Sequence, residues 1–133
     1  MLKNKVAVVT GGTRGIGLEI VRVFKENGAE VILFGSRQDT VDKAITQLKE
    51  EGMEVTGYCP NLSSFDEVEK TVGEIISKYG RIDILVNNAG ISANKKIEDT
   101  TAEEFDNIMN LNVKAIFNAV KAVVPNMKEN DGG

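Results

Sequence analysis

VAVVTGGTRGIGLEIVRVF, residues 6–24, joins a β-branched apolar run to a helix-like one through a loop dense in glycine. A loop in this position can cradle phosphate: glycine lets the backbone approach an anion, and the positive end of the following helix stabilises it. The spacing is Gly11-x3-Gly15-x-Gly17 rather than G-x-G-x-x-G. A plain tight strand-to-helix turn would use similar residues, but the strand before it and the helix after it favour the phosphate site.

Working outward, short β-branched runs recur at Val31 to Phe34, Val55 to Tyr58 and Ile84 to Val86, with Val6 to Val9 the first of the set. The intervals between them are long enough for crossover helices. Apolar positions Ile16, Ile20, Val23 and Phe24 predict one face of the first helix, and Val41, Ala44, Ile45 and Leu48 one face of the second. Gly28 and Gly52 follow as stops. A third helix is expected from Ser64, where Glu67 completes a capping box, presenting Val68, Val72, Ile75 and Ile76 and ending at Gly80. Thr101 and Glu104 form a second box, and Phe105, Ile108, Met109, Val113, Phe117 and Val120 predict two linked helices or one long one as far as Pro125. The closing PNMKENDGG reads as polar and turn-like.

Continuous apolar strands suit a parallel sheet covered on both faces, so the class is α/β, a doubly wound sheet of order 3-2-1-4. Right-handed crossovers leave little other topology. No fifth strand follows the last helix, so the fourth is expected to be an apolar edge.

Composition narrows the function. With 133 residues and 41% hydrophobic, the chain has the material for one packed domain. A formal charge of -4 and a pI near 4.9, with basic residues scattered, argue against a nucleic-acid surface or a polybasic membrane patch. The start MLKNKVAVVTGG resembles neither a signal peptide nor a transmembrane span, which makes the cytoplasm the expected location. Histidine is absent and Cys59 is the single cysteine, so the usual metal clusters and histidine-dependent nucleophilic sites are excluded, and no metal is expected. Proton chemistry would fall to Tyr, Lys or a carboxylate.

Thr10-Gly11-x3-Gly15-Ile16-Gly17, taken with Asn87-Asn88-Ala89-Gly90 after the fourth strand, resembles the short-chain dehydrogenase/reductase family. Within it, the chain looks most like the bacterial 3-oxoacyl-(acyl carrier protein) reductases and the related hydroxysteroid dehydrogenases. The resemblance implies that residues 1–133 form an NADP(H)-binding, Rossmann-type domain, the N-terminal part of a single-domain reductase acting on a small carbonyl or alcohol, with a homo-oligomer as its state. It also implies cofactor contacts from Gly11, Thr13, Arg14, Gly15, Ile16 and Gly17 in the loop, and from Asn88, Ala89 and Gly90 at the fourth strand.

Charge argues for the 2′-phosphorylated cofactor. NAD-preferring members hold an acid at the end of the second strand, where this chain has Gly35-Ser36-Arg37. Arg37 and Ser36 on one side and Arg14 on the other can meet a phosphate, while Asp39 is expected to cap the second helix. Asn61 stands where the family usually has Asp; its amide oxygen is expected to accept from the adenine amino group while the Leu62 N–H donates to the ring.

The resemblance gives one catalytic position, Asn112, which in the family orders a water for proton relay. The family's Ser, Tyr and Lys have no match: Tyr58 is followed four residues on by Leu62 and Tyr79 by Asp83, so Tyr-x-x-x-Lys does not occur. Those residues are expected beyond Gly133. Three readings stand: part of a complete reductase, a cofactor-binding module without turnover, or an interaction protein built on the open edge and last helix.

Overall fold

The computed structural model describes residues 1–92 and 94–133. Strand β1 (Val6–Thr10) leads to helix α1 (Gly15–Glu26), β2 (Glu30–Phe34), α2 (Gln38–Glu50), β3 (Thr56–Tyr58), α3 (Phe65–Tyr79) and β4 (Ile84–Val86). A 3-10 turn (Ile97–Asp99) precedes α4 (Ala102–Met109), a π-helical turn (Asn110–Lys114) and α5 (Ala115–Glu129). The four strands form a parallel sheet of order β3-β2-β1-β4.

Alternation along the inner strands builds two cores. Val6 and Val8 of β1 with Ile32 and Phe34 of β2 face α3 and α5, where Val68, Val72, Ile75, Ala115 and Val123 close over them. Val9, Val31 and Leu33 face the other way, under Leu18, Val21, Val41, Ala44 and Leu48 of α1 and α2. Each fully buried aliphatic side chain contributes about 2 kcal/mol, so the inner pair of strands supplies most of the sheet's stability. The outer strands β3 and β4 are only half-buried.

Several local expectations are corrected. The sheet-facing stripe of α1 is Gly17, Leu18 and Val21, while Ile16 is 75% and Val23 49% exposed. Ile20 and Phe24 do pack, half-buried, against the core as expected, and all four border a shallow hollow of about 720 Å³ that also reaches Gln47 of α2. The close approach of Gly17 to the β1 turn, described below, sets that rotation. Asp39 is not a cap: Arg37 occupies the N-cap of α2, without a side-chain hydrogen bond, and Asp39 in the first turn pairs with Arg37 Nε at 3.3 Å. The last helix runs through Pro125 to Glu129, so PNMKE is helical rather than turn-like. Its buried face is Ala115, Asn118, Ala119, Val123 and Asn126, leaving Phe117 exposed, as are Phe105 of α4 and Val113 of the π-helical turn.

Both boxes are half-formed. Ser64 Oγ accepts from Glu67 N–H and Thr101 Oγ1 from Glu104 N–H, but Glu67 turns to Asn61 N–H and Glu104 to Lys95. At the N-terminal edge of the sheet, Asp83 accepts from the Val6 N–H at 2.9 Å and from Arg81 Nε at 2.8 Å. Burial works against the Asp83 charge, but the Val6 N–H and the Arg81 guanidinium outweigh it and hold its pKa below the ordinary 3.8.

The folded state therefore gains stability from Asp83 at neutral pH, and that gain disappears as pH falls through its depressed pKa. Asp83→Asn should cost on the order of 2 kcal/mol at pH 7, because it removes the charge and leaves one acceptor oxygen where the Val6 N–H and Arg81 had two. Urea denaturation at pH 7 and pH 3 checks this: the gap between parent and variant should narrow at the lower pH.

Candidate functional site

The carboxyl ends of β1 and β4 converge on one crevice, the place where helices on opposite faces diverge in a doubly wound sheet. Thr10, the last residue of β1 and only 2% exposed, organises it. Its Oγ1 donates to the Val86 carbonyl at 3.3 Å and accepts from the N–H groups of Asn88 and Ala89 at 3.1 and 3.0 Å. One hydroxyl thus closes the end of β4 onto the end of β1. Asn88 adds a second tie, donating from Nδ2 to the Gly11 carbonyl at 3.1 Å.

Glycine is required where these pieces meet. Gly11 turns at φ +63°, and a Cβ there would lie 3.0 Å from Ala89 Cα. A Cβ on Gly17 would fall 2.0 Å from the Gly11 carbonyl oxygen, inside any permissible contact. The first turn of α1 is therefore locked against the β1 turn, with Asn88 between them. Gly15 also has positive φ, +56°, with open space around it.

Arg14 is the N-cap of α1 in extended conformation, and no side chain caps the helix. Its first intrahelical bond is from Leu18 N–H to the Arg14 carbonyl, so the N–H groups at the start of the helix have no intrahelical acceptor. By contrast α3 and α4 are capped by Ser64 and Thr101. An uncapped helix start beside a glycine-rich turn is chemically fitted to an anion. Thr13 approaches the end of β2, where a Cβ on Gly35 would come within 2.6 Å of its Cγ2. Ile16, Ser36 and Arg37 are exposed beside this surface, and Arg14 is exposed at the helix start.

The turn after β3 lies at the same edge of the sheet. Asn61 is exposed, Leu62 buried, and Asn61 Oδ1 accepts the Ser63 N–H at 3.0 Å. That bond takes one of the two lone pairs of the amide oxygen and leaves one for a second donor.

At the other end, Asn112 sits in the π turn and holds the loop after β4. Its Oδ1 accepts from Ile91 N–H and its Nδ2 donates to the Ile91 carbonyl, both at 2.7 Å. Gly90 lies beneath it, where a Cβ would be 3.1 Å from Asn112 Oδ1. The side chain is thus committed to the loop. The roles of Thr10 as clamp and of the π turn as the seat of Asn112 were missed in the sequence; a hydroxyl residue directly before the first glycine was the signal for the former. Among the described residues no group of three or more His, Cys, Asp or Glu could hold a metal ion, and no helix is long and apolar enough to cross a membrane.

A parallel sheet of this order with helices on both faces defines a doubly wound domain of the Rossmann type. Residues 5–133 match the model for short chain dehydrogenases, and the chain belongs to that family. It is 50% identical over 135 residues to a 3alpha-hydroxysteroid dehydrogenase of Mediterraneibacter gnavus, an alignment covering 100% of this chain and 54% of the relative. The chain thus spans about half the length of this curated relative. Among solved structures, a metagenomic short-chain oxidoreductase in complex with NADP superposes with a TM-score of 0.91 at 30% identity, covering 99% of this chain and 60% of that one. NAD+-bound xylitol dehydrogenase gives 0.92 at 30% identity, covering 99% and 51%.

Replacing Thr10 by Val keeps the shape but leaves the Ala89 N–H without its acceptor and the Asn88 N–H with the Val86 carbonyl alone, which should cost roughly 2 kcal/mol. Thr10→Ser should retain most of the stability. Denaturant midpoints of the two variants check the clamp.

Proposed function

We propose that this chain is the dinucleotide-binding part of an NADP(H)-dependent oxidoreductase that transfers hydride between nicotinamide and a carbonyl or secondary alcohol. The observation that carries the reading is the uncapped start of α1 locked by Gly17 onto the Gly11 turn, facing the Thr10-clamped loop Asn88 to Gly90. In this reading Gly11, Thr13, Gly15, Ile16 and Gly17 surround the pyrophosphate, Asn61 and Leu62 the adenine, and Asn88, Ala89 and Gly90 the nicotinamide-side ribose. The dinucleotide, when bound, supplies or accepts the hydride. Asn112 keeps the Gly90–Ile91 segment in place beside it, and its position in the widened π turn suits the ordering of a proton-relay water by main-chain groups.

The absence of an acid at Gly35-Ser36-Arg37 favours a 2′-phosphate. Arg37 is paired with Asp39, but both side chains are about two-thirds exposed or more, at 68% and 73%, and such a pair is weak enough to yield to a dianionic phosphate. Arg14 supplies a second guanidinium at the start of α1.

For substrate, the 50% identity to a 3alpha-hydroxysteroid dehydrogenase supports a hydroxysteroid or similar secondary alcohol over a 3-oxoacyl thioester. The exposed apolar residues Phe105, Met109, Val113, Ile116, Phe117 and Val120 along α4 and α5 support self-association into a homo-oligomer. The cytoplasm, where reduced dinucleotides are held, is the compartment this reading implies.

Fluorescence titration with NADPH and NADH tests the cofactor assignment. NADPH should bind at least about tenfold more tightly, and Arg37→Ala should erase most of that preference, since a charge-assisted bond is worth about 1.5–3 kcal/mol. Equal dissociation constants for the two dinucleotides would refute it.

A further inference from the structure

Asn118 lies in the middle of α5, on its buried face, and is 1% exposed. A buried amide in a helix that packs against α3 and the sheet carries a desolvation cost unless it is bonded. Its Nδ2 donates to the carbonyl of Leu62 at 2.8 Å, a bond buried from solvent and spanning from α5 to the turn after β3. That turn is otherwise shaped by its own neighbours: Ser63 N–H to Asn61 Oδ1, Ser64 N–H to the Asn61 carbonyl, and Asn61 N–H to Glu67. Those bonds define its conformation but not its place relative to the β1–β4 crevice.

Placement is the harder problem, because the turn follows β3, a half-buried outer strand with only Thr56, Gly57 and Tyr58 in the ladder. The Leu62 side chain is inserted in the core beside Val68 and Ala115, and the Asn118 bond adds a directional tie to it. The helix that makes this tie continues from the π turn in which Asn112 holds Ile91, at the far side of the crevice. One rod thus bonds to both ends of the candidate dinucleotide site through asparagine side chains.

We propose that Asn118 is a positioning residue that sets the Asn61–Leu62 turn against the helix carrying Asn112, and so fixes the adenine end of the site relative to its nicotinamide end. The proposal rests on the reading above that Asn61 and Leu62 meet adenine. Removing the donor leaves the Leu62 carbonyl buried without its partner, and the turn shifts to reach water. The effect on binding then falls on the adenosine arm of the cofactor.

Asn118→Leu, with the same branching and number of side-chain heavy atoms but no donor, tests this in the whole chain against three probes: NADPH, 2′,5′-ADP, and reduced nicotinamide mononucleotide. Binding of NADPH and 2′,5′-ADP should weaken about fivefold or more, with the mononucleotide unchanged. A uniform loss for all three, or no loss for any, would overturn the proposal, since a merely structural role does not distinguish the two arms. Failure of the unsubstituted chain to bind 2′,5′-ADP would instead strike at the adenine reading itself, and Asn118 would fall with it. A measurement that needs no variant guards against misfolding: in the unsubstituted chain, exchange of the Asn118 side-chain amide protons should slow on adding 2′,5′-ADP and not on adding the mononucleotide. Equal rates with and without 2′,5′-ADP would contradict the coupling.

Discussion

The hydroxyl of Thr10 is the point on which the crevice depends. Two parallel strands end side by side with their last N–H and C=O groups unpaired, and whatever follows them must satisfy those groups without filling the space above. Thr10 does this with a single oxygen, accepting from Asn88 and Ala89 and donating to Val86. Because the loop after β4 is held there, Asn88 can reach the Gly11 carbonyl, and the turn so fixed meets Gly17 at a distance that admits no side chain. Sheet, glycine turn and first helix are one interlocked unit, and the anion-seeking end of α1 is a consequence of it.

The long helical segment from α4 to α5 meets two demands with two faces. Its inner face is built from small residues and asparagines, Ala115, Asn118, Ala119 and Asn126, which allow close approach and bond to backbone groups that the sheet leaves over. Asn126 accepts from Ile82 N–H at 2.9 Å, as Asn118 donates to Leu62 and Asn112 exchanges bonds with Ile91. Its outer face carries the large apolar residues. This division explains why the helix can be closely fitted to its own core and still present Phe105 and Phe117 to something else.

The sheet was legible in the sequence because inner parallel strands must be apolar on both faces, and the runs at Val6 and Val31 are. Order 3-2-1-4 followed from crossover handedness, and the glycine stops at Gly28 and Gly52 appear with positive φ. What was not legible depends on tertiary contact. The apolar residues of α1 exceed what one sheet-facing stripe can bury, so periodicity chose Ile16 and Val23 along with the half-buried Ile20 and Phe24, whereas the Gly11–Gly17 contact rotates Leu18 and Val21 inward. The same reasoning could not assign polar residues to a buried face, so Asn118 passed unnoticed and the large apolar positions of α4 and α5 drew attention instead. Asp39 has the right chemistry for a cap, but the helix starts two residues too early for it, and Arg37 claims its carboxylate. At the candidate site, the glycine loop and Asn87 to Gly90 were visible as motifs, while the hydroxyl that joins them was visible only as a threonine.

The central claim is that the α1 start and the β4 loop form one cradle for a nicotinamide dinucleotide. Amide-resolved hydrogen exchange with and without NADPH tests it most directly. The account predicts that Ile16 and Gly17 at the start of α1 and Asn88 to Gly90 at the end of β4 gain protection together at the same ligand concentration. Protection of one segment with the other unchanged, or of neither while NADPH is bound, would contradict it.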